Sequence, residues 1–474
     1  MNYEVDVVVL GVGTGGEDLA LQLTGAGLVV VGIEAALLGG ECPYWACIPS
    51  KIMIRAANLL QEARRVEGIA GRAEVTPDWA PVAARIREEA TGEWDDSFAV
   101  ARFEESGGRF VRGWGRFTGP HTVSVGEDSF TARKGIVVAT GSKRAVPPIP
   151  GLADVDFWTT HDVIQADPLP EALIVLGGGA VGCELGQALS RFGVGVTIVE
   201  GQDRLLPMEE PEASEVVASV FEAEGITVNT GAKVERVARN GEVIEVTLEG
   251  GARLAAEKLL VATGRIVDLS DLGLEHAGLD VSTRYLEVDD RLRATDGIWA
   301  MGDVTGKAMF THVALYQGAI IAAHILGEDP PVADYESLPR VTFTDPEVGS
   351  VGLTEAAARQ KGLDVAVSVK YVAATFRGWL HGPGNDGVIK LIVDREEDVL
   401  IGATAVGPHG GEVLGFLSVA VHEKVPLANL RHMVYAFPTF HGAIGSSIGA
   451  FGRGTGRVLD PEFEPLADPL SIDG

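Results

Sequence analysis

The sequence predicts an α/β protein that holds the same strand–glycine turn–helix unit twice and closes with a separate α+β region. Three observations predict it. The run Val7-Val8-Val9-Leu10-Gly11-Val12-Gly13-Thr14-Gly15-Gly16 is echoed by Ile174-Val175-Leu176-Gly177-Gly178-Gly179-Ala180-Val181-Gly182, and both Gly11 to Gly177 and Glu34 to Glu200 are shifts of 166. Two strand–Ala-Thr-Gly segments, residues 136–141 and 259–264, each end a domain-length block. Beyond Pro339 the pattern changes to alternating strands and amphipathic segments without a glycine fingerprint.

Each unit reads as a short buried strand, a G-x-G-x-x-G turn, a helix (17–24, then 183–191) and a second strand (29–34, then 196–200) that ends in an acid. One such turn is a weak signal in a chain with 61 glycines. The whole unit is specific, because every part has a task. Gly11 and Gly177 permit the tight turn, and Gly13 and Gly179 let backbone approach a pyrophosphate. Gly16 and Gly182 let helix and strand pack closely, and the helix N-terminus offers free amides and partial positive charge. Glu34 and Glu200, each 18 residues beyond the last glycine, are placed to bond ribose hydroxyls. Both units are therefore Rossmann-like and dinucleotide-binding. Pro147-Pro148-Ile149-Pro150-Gly151 reads as a rigid linker. The expected division is residues 1–150, a second unit over 151–270, a return segment over 271–339, an α+β domain over 340–457 and an acidic tail over 458–474.

Composition narrows the partners. A chain of 474 residues with 46% apolar side chains builds several cores. No uninterrupted apolar run of about 18 residues suggests a membrane span. Asn2, Glu4 and Asp6 break the start, so no signal peptide and a cytoplasmic location are expected. A net charge of −29 argues against nucleic acid or an anionic membrane as partner and reads as a solubilising surface. The three cysteines, Cys42, Cys47 and Cys183, are too few for a disulfide scaffold or a four-cysteine metal site, and no metal is expected. In a reducing compartment the close pair Cys42/Cys47 reads as catalytic. The Cys-x-x-x-x-Cys spacing puts two thiols about one helical turn apart, and a helix N-terminus there makes a reactive thiolate. Cys183 reads as a small packing residue.

The segment Gly39-Gly40-Glu41-Cys42-Pro43-Tyr44-Trp45-Ala46-Cys47-Ile48-Pro49-Ser50-Lys51 resembles the redox motif of the flavoprotein disulfide reductases, the pyridine nucleotide-disulfide oxidoreductases that include dihydrolipoamide dehydrogenase and mercuric reductase. Ala300-Met301-Gly302-Asp303 is similar to the family's second FAD signature. Phe343-Thr344-Asp345-Pro346-Glu347 with Val351-Gly352 is similar to the opening of its dimerisation domain. The resemblance implies FAD on the first unit, held by Gly11, Gly13, Gly16, Glu34, Lys51, Thr140, Gly141 and Asp303. It implies a nicotinamide dinucleotide on the second, held by Gly177, Gly179, Gly182, Glu200 and Gly264. It further implies Cys42 as the interchange thiol, Cys47 as the flavin-facing thiol, a Lys51–Glu184 pair beside the flavin, and a homodimer whose C-terminal domains complete each other's active sites. His312, in Thr311-His312-Val313-Ala314, matches a family motif and reads as packing.

Two points follow for the reaction. A carboxylate at Glu200 favours the free 2′-hydroxyl of NADH over a 2′-phosphate, although Arg204, four residues on, is a candidate phosphate ligand. The family's C-terminal His-Pro-Thr-x-x-Glu motif reads here Phe437-Pro438-Thr439-Phe440-His441-Gly442, without the usual acid–base pair. His441 as a substitute base, an acceptor that needs no base, and a weakly active relative remain open at this point. Mercury reduction itself is disfavoured, since no cysteine follows Cys183. The expectation is electron transfer from NAD(P)H through FAD to the cysteines and on to a small-molecule acceptor. The alternatives are dihydrolipoamide dehydrogenase, an NAD(P)H:quinone or transhydrogenase-type flavoprotein, and a flavin-binding redox sensor.

Overall fold

The structure is a computed structural model and describes residues 1–451 and 457–459. The valine-rich run Asn2–Leu10 is a strand, fully buried from Val7 to Leu10, as a β-branched segment covered on both faces should be. It lies inside the largest sheet, flanked in parallel by Val30–Glu34 and Asp128–Val138, with Arg109–Arg112 and Ile298–Ala300 beyond them. Helix α1 (Thr14–Gly25) follows the first glycine turn and buries Leu19, Ala20 and Leu23.

The second unit repeats the design with four parallel strands in the order Thr227–Asn229, Gly195–Val199, Ala172–Leu176, Lys258–Val261. An antiparallel sheet of Val234–Asn240, Val243–Leu248 and Arg253–Ala256 shares an apolar core with it. The two Ala-Thr-Gly exits meet, because Lys143–Arg144 pairs with Arg265–Ile266. Only after the second unit does the chain return to the first sheet, through Ile298–Ala300.

From Pro339 on, a six-stranded sheet carries the helices Gly410–His422 and Phe440–Ala450. Its last strand, Arg457–Leu459, runs parallel to Val365–Tyr371, so positions 458 and 459, assigned by the sequence to the tail, lie in this sheet. The tail from Asp460 on lies outside the described residues. The architecture is thus the expected one, α/β with two Rossmann-like units and a C-terminal α+β domain. Among the described residues no helix is long and apolar enough to cross a membrane.

Buried ion clusters join the second unit to the C-terminal sheet. Lys390 Nζ lies 2.8 Å from Glu210, 2.9 Å from Glu212 and 3.0 Å from Glu355. Arg340 binds Glu209, and Arg191 binds both Glu224 and Asp345.

Candidate active site

The glycines divide by task. A Cβ on Gly11 (φ +94°) would run into the Ala139 carbonyl, and one on Gly177 (φ +109°) into that of Ala262. Gly16 and Gly182 sit against the carbonyls of Gly11 and Gly177. Among the described residues Gly13, by contrast, meets only Gly40 Cα at 3.9 Å, and Gly179 meets nothing within 4 Å. The first and third glycines are closed off by their own fold, while the second faces free space, which is what a diphosphate needs. This is the fit expected for FAD and for the nicotinamide dinucleotide.

Glu34 accepts from Val12 N at 3.1 Å and Ala36 N at 2.9 Å, and burial pushes its carboxyl up. It shares a cavity with Gly11, Thr140 and Gly141. Glu200 accepts from Gly178 N (2.6 Å) and Gln202 N (2.7 Å) at the edge of a cleft of about 620 Å³ lined also by Gly177, Gly179, Gly264, Arg144, Thr160 and Arg265. Gly182 supports this turn from behind. Arg204 is turned onto its own loop, donating to the carbonyls of Pro207 and Glu209, and does not line the cleft. Asp303 follows the return strand and accepts a hydrogen bond from Ser142, while Arg265 stands 3.5 Å from it and donates to Ser142 at 2.6 Å.

The two cysteines do not share one helix. Cys42 lies on α2 (Glu41–Trp45) and Cys47 opens α3 (Cys47–Arg64), with Ala46 (φ −135°, ψ −95°) between them. Pro49 explains the break. Inside one continuous helix it would remove a hydrogen bond and clash with the turn before it, whereas the break places it in the first turn of α3. Both cysteines are free thiols. Cys47 Sγ lies 3.5 Å from the Thr311 hydroxyl, and Cys42 touches Cys47, Thr311 and Thr14. Thr311 begins the helix Thr311–Ile325 and Thr14 begins α1, so three helix N-termini converge on the pair.

That field divides the thiols. The hydrogen bond from Cys42 pulls Cys47 down to about 6; burial opposes it, and Thr311 and the Lys51 charge assist. Cys42 is pushed up by the same bond and by burial. The thiolate therefore rests on Cys47, one turn before Lys51. Lys51 pairs with the buried Glu184 at 2.7 Å and lies 4.6 Å over the Phe343 ring, while Phe343 N donates to Glu184 at 2.8 Å. Cys183 is buried, with its thiol on the Gly178 carbonyl and driven up by burial.

In the C-terminal domain Phe437 is 74% exposed and, among the described residues, its one ring contact is the edge of Phe376. The His441 ring is packed against Phe416 and Tyr435, with centroids 4.9 and 4.7 Å away. Gly442 is crowded: a Cβ there would lie 2.8 Å from the Ala436 carbonyl. His312 stacks on Phe310 and bonds the Pro339 carbonyl at 3.0 Å. Sequence reasoning passed over Thr14, Thr311, Ser142 and Arg265. Thr14 lies inside the first fingerprint and Thr311 opens the Thr-His-Val-Ala motif, so their positions alone carried a signal.

Comparison with known proteins agrees with this geometry. The family described as pyridine nucleotide-disulphide oxidoreductase matches residues 5–318, and its dimerisation domain matches residues 338–448. The chain is 30% identical over 463 residues to mercuric reductase of Bacillus cereus, covering 96% of this chain and 73% of that protein. It is 35% identical over 468 residues to dihydrolipoyl dehydrogenase of Mycobacterium tuberculosis, covering 94% and 99%. Among solved structures, the HOCl-induced flavoprotein disulfide reductase RclA of Escherichia coli, as its Cu(II) complex, superposes with a TM-score of 0.83 at 28% identity over 94% of this chain and 99% of that one. LpdA of Mycobacterium tuberculosis gives 0.83 at 26% identity, over 94% and 100%.

Proposed function

The chain belongs to the pyridine nucleotide-disulphide oxidoreductase family, and from that premise we propose that it passes electrons from NADH to the Cys42/Cys47 pair and on to a small acceptor that needs no proton from a partner's histidine. Like its family it is an FAD-dependent oxidoreductase that uses a pyridine nucleotide. Gly11, Gly13, Gly16, Glu34, Lys51, Thr140, Gly141 and Asp303 would hold the flavin. When bound, FAD supplies the hydride-accepting and electron-passing chemistry between nicotinamide and cysteines.

The protein's own residues do the rest. Glu200 orients the adenosine ribose, and the cleft lined by Gly177, Gly179 and Gly264 seats the diphosphate. Lys51 holds positive charge beside the Cys47 thiolate, and Glu184 keeps Lys51 in place. In the reduced state Cys42 is a thiol and Cys47 a thiolate. With Cys47 as thiolate, loss of two electrons and the one remaining Cys42 proton closes the disulfide, the electrons going to one quinone or two single-electron metal ions, the proton to the quinone or to water. The dimerisation domain supports a homodimer in which the partner's C-terminal domain completes the site of the cysteine pair.

Phe437 carries the reading: an exposed phenyl ring stands where disulfide-reducing relatives place their histidine, and it moves no protons. His441, held between two aromatic rings, is a packing residue. Two of the similar proteins are a mercuric reductase and a flavoprotein solved with Cu(II), which favours metal ions within the acceptor class. Steady-state turnover of the flavin-loaded protein with NADH and lipoamide, glutathione disulfide, a benzoquinone or Cu(II) tests it. The quinone or Cu(II) should exceed both disulfides in kcat/KM. A lipoamide value above theirs would instead make the chain a dihydrolipoyl dehydrogenase, the activity of its 35%-identical relative.

A further inference from the structure

Beside the redox pair lies a cluster that none of these roles uses. Trp45 stacks on His161, with centroids 4.1 Å apart and planes at 19°, and lies nearly parallel to Trp94 at 5.3 Å. His161 Nε2 lies 3.1 and 3.2 Å from the two carboxylate oxygens of Glu41, and Arg144 stands 3.6 Å from the same carboxylate. Glu41 and Trp45, four residues apart, share one side of α2, the helix that carries Cys42. A five-residue helix has too few internal bonds to fix its own direction, so its grips fix it. His161 grips it twice, by the ring on Trp45 and by the N–H on Glu41. Trp94 is presented from a left-handed turn (Glu93 φ +60°, Trp94 φ +58°) and donates to the Tyr44 carbonyl at 3.2 Å, which adds a hold from the other part of the chain.

The grip reaches into the nucleotide cleft. His161 is the second residue of the helix Thr160–Gln165, and both Thr160 and Arg144 line that cleft. Burial pushes the Glu41 carboxyl up, but the His161 bond and charge and the Arg265 and Arg144 charges outweigh it and leave it below the usual range. Glu41 thus reads three groups from three elements, and Arg144 and Arg265 border the nucleotide cleft directly.

We propose that His161 is a positioning residue that ties the helix of Cys42 to the nucleotide cleft, so that a nucleotide seated against Thr160 and Arg144 changes the exposure of the Cys42 thiol. The inference rests on Cys42 being a redox thiol and is independent of the acceptor.

The test is the rate at which iodoacetamide alkylates Cys42 in phosphine-reduced, flavin-loaded protein, read by mass spectrometry with and without saturating NAD⁺. In wild type NAD⁺ should change that rate by about fivefold or more, the low end of ordinary coupling between sites. His161→Ala should alkylate faster without nucleotide and lose the NAD⁺ effect. His161→Gln, which still donates to Glu41, should recover part of it, a rescue that a merely structural role would not give. If His161→Ala fails to fold, Glu41→Gln, equal in shape, reads the same bond and should weaken the effect. No NAD⁺ effect in wild type, or an equal effect in all variants, overturns the proposal. Failure of the acceptor comparison alone leaves these rates untouched, so the two readings fail separately.

Discussion

Replacing Cys42 by alanine and by serine tests the electrostatics of the redox pair. Cys47 sits at about 6 against an ordinary 9.0, and the bond from Cys42 is the largest cause. At neutral pH Cys47 is therefore mostly thiolate. A hydrogen bond to a charged group contributes about 1.5–3 kcal/mol. At about 1.36 kcal/mol per pH unit, losing it in Cys42→Ala should move the titration up by about one to two units, to about 7–8. Less of Cys47 would then be thiolate at neutral pH. Cys42→Ser keeps a donor in place and should stay near 6. Thr311, at 3.5 Å, makes a longer contact, so Thr311→Val should move the midpoint less than Cys42→Ala. The assay is the pH dependence of Cys47 alkylation, followed by mass spectrometry; Cys183 is buried and serves as the unreactive control. Equal midpoints for the alanine and serine variants would refute the argument, since the thiol of Cys42 could then not be the donor.

Lys390→Met should destabilise the protein by about 3–5 kcal/mol, because it leaves the buried carboxylate of Glu210 and the half-buried one of Glu212 without their shared cation, while Glu355 keeps Arg359. Burial lowers the Lys390 pKa, but Glu210 and Glu212 outweigh it and raise it above 10.5, so its share of stability is whole below 10.5 and fades as pH rises through the raised folded value; Glu355 is held below 4.5, so its share is whole above 4.5 and fades as pH falls through the lowered one. Thermal unfolding should show the full deficit near pH 7 and a smaller one well below pH 4.5, and a deficit equal at both would contradict it. Glu200→Ala should raise the KM for NADH about tenfold while NADPH is not worsened, and Arg204→Ala should change neither, since that guanidinium serves its own loop. An unchanged preference for NADH in Glu200→Ala would remove Glu200 from nucleotide recognition. Phe437→His should raise lipoamide turnover by less than the about 10²–10⁴ of a positioned base, and adding Gly442→Glu should lower the thermal midpoint, because the new Cβ meets the Ala436 carbonyl at 2.8 Å. A full gain with no loss of stability would show that the motif can be rebuilt in place.

What the sequence disclosed and what it hid follow one physical division. The two dinucleotide units were legible because their constraints are local: a turn that only glycine tolerates and an acid at a fixed distance. Gly11 and Gly177 have the positive φ that this reading requires. The break at Ala46 is also local, since Pro49 cannot lie deep in a helix, although the cysteine spacing alone fits one continuous turn. Convergence of Thr14 and Thr311 on the thiols was not legible, because it depends on how two distant helices enter the site. His161 meets Glu41 across 120 residues of chain, and no spacing rule spans that. The Lys51–Glu184 pair, 133 residues apart, was readable only through family resemblance.

The interleaved first sheet has a consequence for the order of synthesis. The Ile136–Val138 end of Asp128–Val138 must wait for Ile298–Ala300 to cover its outer edge, and the whole second unit emerges from the ribosome in between. Until then the Ile136–Val138 end of that strand has an unpaired edge, since Thr122–Val125 covers only its Asp128–Thr131 end, and such an edge is a hazard for association with other chains. The second unit closes its own four-stranded sheet with Lys258–Val261 and is complete first. Asp303 arrives three residues after the closing strand, so the last flavin contact and the last strand of that sheet are delivered together, and a nascent chain shorter than about 300 residues has a finished nucleotide cleft beside an unfinished flavin cradle.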